Sequence, residues 1–176
     1  MGFILLLIAI VAVIVLFKKS EDKVGVHIPQ IHQCNSVRDV VMSVNHARIY
    51  PFFTRMNFER AKKFAMQIHP NKVEFEQELQ LRELMGMKSY LDVPVQNKYI
   101  ERIFMTFSKS GLVSSIGIDI RNFDVNMTEL MNEMVVKFGR PFSMDNEFII
   151  WREGPMVINI CKEGSVSVID ESLFGR

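Results

Sequence analysis

Two cysteines in 176 residues, Cys34 and Cys161, stand far apart and form no CxxC pair. That scarcity excludes a disulfide-stapled secreted scaffold and predicts two free, mostly buried thiols. An excess of one charge is missing too. The chain carries 21 Lys and Arg against 20 Asp and Glu, a formal net charge of +1, which argues against a dedicated nucleic-acid binder. There is no low-complexity segment and no repeat at a solenoid-like period. The chain also lacks a Gly-rich phosphate loop, a GxSxG elbow, an HExxH pair, an EF-hand loop and an RNA-binding aromatic signature. No catalytic residue, metal site or cofactor is therefore expected from linear motifs.

What the chain does have is one long apolar run. FILLLIAIVAVIVLF begins at Phe3 and ends at Phe17 without a charge, a polar side chain, Gly or Pro. As a helix it spans ~22 Å, slightly short of a hydrocarbon core of about 30 Å. Met1 and Gly2 extend it, and Lys18 and Lys19 can snorkel to the interface. No Lys or Arg precedes the run and no small-x-small cleavage site follows it, so the run reads as an uncleaved anchor rather than a signal peptide. Lys18, Lys19 and Lys23 follow the span, and the positive-inside rule then places the C-terminal domain in the cytoplasm. The α-amino group on the other side keeps that bias modest and leaves the opposite topology open. The expected localisation is a cell membrane, spanned once.

Length fits one domain plus that anchor: residues 1–19 anchor, 20–35 a polar linker, 36–176 a soluble α+β domain. Residues 36–90 read as mostly helical. Ser36 with Asp39 predicts a capping-box start for a helix reaching Ile49, just before Pro51. A second helix is expected over residues 57–69, closed by Pro70, and a third over 73–85, closed by Gly86. Residues 99–170 read as an antiparallel sheet with one helix, in the order ββαβββ. Strands are expected at 99–107 and 112–121 around Ser108-Lys109-Ser110-Gly111, and at 147–152, 156–162 and 165–170. Between them, Asn126 and Glu129 predict the start of a helix that ends at Gly139-Arg140-Pro141. In its helix, Gly-x-Pro break and Trp-bearing strand, the run from Asn126 to Trp151 resembles small bacterial envelope proteins. Helix caps and turns alone generate that pattern, and no residue role comes with it.

Four groups of residues are candidates for function. His27, His32 and Cys34 cluster in VHIPQIHQCN, but the spacing matches no zinc site and a fourth ligand is missing, so a polar linker explains them better. The stretch RIYPFFTRMNFERAKK, residues 48–63, mixes bases and aromatics against a single acid, Glu59. Its Phe52, Phe53, Arg55, Arg60, Lys62 and Lys63 are candidate partner- or lipid-contact residues. That composition suits single-stranded nucleic acid or an anionic lipid surface, and tethering at a membrane favours lipid headgroups. The plainer reading buries the aromatics and leaves the basic side chains solvated. Cys161, mid-strand and without a cue for a paired His, reads as a packed thiol. Trp151, the only Trp, is a candidate partner anchor if exposed and a core residue otherwise.

The function expected from these features is a membrane-anchored protein-interaction module: an adaptor, an accessory subunit of an envelope complex, or an immunity-type inhibitor. The alternatives are an enzyme or small-ligand sensor whose site is assembled from distant residues, and contact with anionic lipid or nucleic acid through residues 48–63.

Overall fold

A strand whose residues alternate apolar and polar can bury only one of its faces, and the C-terminal half of this chain alternates persistently. The structure, a computed structural model, describes residues 29–69, 74–77 and 87–174, without the side chains of 74–77 and 87–89. The anchor expected over Phe3 to Phe17 lies outside the described residues. Among those residues no helix is long and apolar enough to cross a membrane.

The strands of the main sheet are β4 (Glu74–Gln77), β5 (Met87–Pro94), β6 (Ile100–Ser108), β7 (Val113–Ile120), β8 (Ser143–Met144), β9 (Phe148–Glu153), β10 (Met156–Cys161) and β11 (Ser165–Asp170). They form one 8-stranded sheet in the order β4-β5-β6-β7-β11-β10-β9-β8, antiparallel throughout. Two meanders, β4 to β7 and β8 to β11, thus join at the centre, where Ile116 lies opposite Val168. The helix α3 (Phe123–Phe138) carries the chain from the central strand β7 to the far edge at β8. An α+β fold with an antiparallel sheet is therefore what the chain adopts. The expected ββαβββ pattern is present with three additions: β4, β5 and the short edge strand β8.

The N-terminal part is less helical than its spacing predicts. Ser36 does cap α1 (Val37–Ser43), its Oγ accepting from Asp39 N at 3.0 Å. The Asp39 carboxylate reaches back to Asn35 N at 2.9 Å, one residue earlier than a standard capping box. But α1 stops at Ser43 rather than Ile49. Asn45 Oδ1 accepts from Ala47 N at 2.9 Å, an Asx turn that folds β1 (Val44–Asn45) back onto β2 (Arg48–Ile49). β3 (Phe52–Phe53) completes a small 3-stranded sheet. The second helix, α2 (Phe58–Ile68), matches expectation: Asn57 Oδ1 caps Arg60 N at 2.9 Å. The helix expected over 73–85 is corrected where it is described, because residues 74–77 pair with β5 as a strand. The linker boundary also moves. Ile31 is fully buried and its N–H donates to Tyr50 O at 2.8 Å, so the domain starts before residue 36.

One face of the sheet carries Leu91, Val93, Ile103, Met105, Ile116, Ile118, Ile158, Ile160, Val166 and Val168. All are buried in a single cluster with Val37, Val40 and Val41 of α1, Ala61 and Ala65 of α2, and Leu130 and Met134 of α3. Lys137 ties two of these helices together. Its Nζ donates to the carbonyls of Val41, Met42 and Val44, at the C-terminal end of α1 and the start of β1. Burial, with Arg48's charge adding to it, lowers this ammonium to about 8.

Candidate functional site

Among the described residues no helix covers the opposite face of the sheet, and its side chains are of a different kind. Cross-strand partners share a face, so the register defines this one. Asp92 lies opposite Phe104, Phe104 opposite Gly117 and Gly117 opposite Ser167; next to them run Arg102, Asp119, Ser165 and Cys161. A groove of ≈ 530 Å³ opens here, lined from β5, β6, β7 and the β10–β11 turn.

Its floor is the Phe104 ring, lying directly over Gly117. A Cβ at Gly117 would come within 2.1 Å of the ring's Cζ, so glycine is what lets the ring settle onto the strand. Tyr90 stacks on Phe104 with centroids 6.3 Å apart and planes 26° apart. Arg102 lies above the same ring, its Cζ 5.7 Å from the centroid. From there its Nη1 donates to Asp92 at 3.1 Å and its Nε to Asp119. The Asp119 hydrogen bond holds the guanidinium above its ordinary range, against the opposing effect of burial. At one end Thr106 Oγ1 shares hydrogen bonds with Ser115 Oγ at 2.6 Å and Ser114 Oγ at 3.1 Å. The other end is the Glu163-Gly164 turn, where Gly164 sits at φ +118°. Glu101 and Glu163 project from the rim, exposed. Neither carboxylate joins an ion pair among the described residues. Cys161 is the one thiol lining the groove, and no His lines it. Among the described residues no hydrogen bond joins the Cys161 thiol or the Ser165 hydroxyl to a base there.

The residues singled out from sequence fall elsewhere. Phe52 is fully buried in the core, and Phe53 packs against it beneath Arg60, whose Cζ lies 4.9 Å from the Phe53 centroid. Arg60, Lys62 and Lys63 are exposed on α2. Arg55 is set apart from them: its Nε donates to Asp170 Oδ2 at 2.7 Å, so its charge serves the fold. Trp151 is 2% exposed and its indole N–H donates to Gly139 O at 2.9 Å. As a core residue it offers a partner no surface, which corrects the anchor reading.

The histidine-rich segment borders a smaller cavity of ≈ 290 Å³, lined by His32, His69 and Val95. Burial lowers the His32 pKa. Cys34, two residues on, is buried with its thiol turned to Gln30 O, and burial pushes it up to about 12. It therefore keeps its proton and is a poor metal ligand. No group of three or more metal-binding side chains forms among the described residues.

The groove escaped sequence reasoning because it has no linear motif. Its one visible sign was Gly117, a lone glycine inside an alternating strand. No protein-family model, curated protein or solved structure matches the chain.

Proposed function

We propose that this chain is a membrane-anchored protein-interaction module that binds its partner on the open face of its sheet. The observation that carries the reading is the contrast between the two faces. One is sealed by helices. The other presents the half-buried Ser165 and Ser167 beside an aromatic floor, small groups that allow close approach to the strands. The absence of a hydrogen-bonded nucleophile–base pair in the groove among the described residues favours binding over catalysis. The apolar run ending at Phe17 and the Lys18, Lys19 and Lys23 flank support a single span with the domain in the cytoplasm. A C-terminal reporter active in only one compartment tests that orientation.

The binding surface is tested by photo-cross-linking in intact membranes. A photoreactive residue at Ser165 or Ser167 is expected to give a discrete adduct. The same residue at Val136, 83% exposed on α3, is expected to give none. Equal labelling from both places would contradict the reading.

A second reading, anionic lipid contact, is favoured by the exposure of Lys62 and Lys63 beside Met66, itself 47% exposed, on α2. Salt-sensitive binding to anionic liposomes, lost on charge reversal at Arg60, Lys62 and Lys63, would support it. Binding that ignores the reversal would remove it.

A further inference from the structure

Resting on the open-face reading above, we infer that the groove receives a basic, extended segment of a partner polypeptide, with a Lys or Arg side chain seated between the exposed carboxylates of Glu101 and Glu163.

Charge decides the sign of the occupant. Among the described residues three carboxylates line the groove, Glu101, Asp119 and Glu163, against one cation, Arg102. Arg102 is already committed to Asp119 and to Asp92 beside the groove, which leaves the carboxylates of Glu101 and Glu163 unpaired among the described residues. The chain as a whole is nearly neutral, at +1, so this acidity belongs to the groove. An anionic ligand such as a phospholipid headgroup or a nucleic acid would be repelled.

The floor selects further. Arg102 already occupies the Phe104 face, held by Asp92 and Asp119, an aromatic-and-carboxylate setting for a guanidinium; an incoming cation is left the exposed Glu101 and Glu163 at the rim. A divalent metal is disfavoured, because no cluster of three ligands converges among the described residues. Shape then separates a polypeptide from a small amine. The groove is open along the strands, and a trough that cannot enclose a small ligand gains little from it. A chain laid across the half-buried Ser165 adds contacts beyond the single charge.

The test uses the full chain in detergent micelles and three probes: a fluorescent peptide of alternating Arg and Ser, its Glu-for-Arg counterpart, and spermine. The Arg peptide is expected to bind, and to weaken at least about ten-fold when salt rises from about 0.05 to about 0.5 M. The double variant Glu101→Lys/Glu163→Lys is expected to weaken it by a similar factor, and Glu101→Gln/Glu163→Gln by less. All four substitutions are at exposed rim positions, and circular dichroism checks that the fold is kept. Failure of the Arg peptide to bind, binding indifferent to the charge reversal, or tighter binding of the Glu peptide overturns the inference. So does spermine competing at the Arg peptide's own concentration. If the peptide fails while Ser165 still cross-links a partner, the interaction surface stands and only the basic partner falls. If both fail, the surface itself falls.

Discussion

Arg55 and Asp170, far apart in sequence, meet at 2.7 Å between Nε and Oδ2 and join the loop before α2 to the end of the last strand. The carboxylate is fully buried, whereas the arginine side chain keeps 60% of its surface exposed. Ser172 completes the site, donating to Asp170 Oδ1 through Oγ at 2.5 Å and through its backbone N at 3.1 Å. Burial would raise the Asp170 pKa, but the hydrogen bonds from Arg55 and Ser172 and the Arg55 charge outweigh it and lower it. Arg55 itself stands at φ +65°, a conformation that favours glycine, so its side chain is what the position needs.

Asp170→Asn should destabilise the domain by about 1–3 kcal/mol, because it removes a charged acceptor from a buried, donor-rich site. A group with a lowered folded pKa stabilises above its unfolded value, about 3.9, and loses that contribution as pH falls through the folded one. Urea denaturation at pH 7 and in acid should therefore show wild type and variant converging below about pH 4. A constant difference down to acid pH would count against the pair.

Lys137 should titrate near 8 when followed by its ¹³Cε shift, well below the ordinary lysine range of about 10.4. Between those two values the unfolded chain binds more protons than the folded one, so this group's contribution to stability rises with pH there. Arg48→Ala should move the Lys137 titration upward by removing the lesser of its two causes. An ordinary titration in the wild type would refute the buried clamp on α1.

The two thiols should separate cleanly. Cys161, half-buried on the open face, is expected to react with a thiol reagent in the native protein; Cys34 is expected to react only on unfolding. Because the folded pKa of Cys34 is raised to about 12 from 9.0, its contribution to stability is complete below the unfolded value and falls as pH rises between the two. Equal native reactivity would contradict the placement of both.

Gly117→Ala should disturb the groove more than the fold. The new Cβ meets first the far end of the Phe104 ring, which must lift from the strand and leave its stack with Tyr90. Binding of the Arg peptide should fall about ten-fold with thermal stability nearly kept. Unchanged affinity would mean that the floor is not part of the site.

The C-terminal strands were legible because period-two patterning survives wherever one face is buried: Val166, Val168 and Asp170 are buried and alternate with half-buried neighbours. The helix α3 was legible through Leu130 and Met134, but its start was not. Asn126 imitates a cap, whereas its side chain donates to Arg121 O at 3.0 Å and the helix begins at Phe123, after Asn122 in a left-handed conformation. α1 was overextended because Val44 and Ala47 continue a helical spacing that the Asn45 turn breaks. β5 ends in Pro94, a residue that argues against strand, and it escaped notice. The groove was hidden for a different reason: Tyr90, Arg102, Phe104, Asp119 and Glu163 meet only through sheet register, which no spacing along one segment encodes.

The central claim, that the open sheet face is where this chain meets its partner, is tested most directly by blocking that face. Ser165→Arg with Ser167→Arg fills it with bulk while the helix-covered core face is untouched. Partner recovery from detergent extracts of membranes, quantified against wild type at equal expression and matched circular dichroism, is predicted to fall at least about ten-fold. Recovery of the same partner in the same amount would contradict the account.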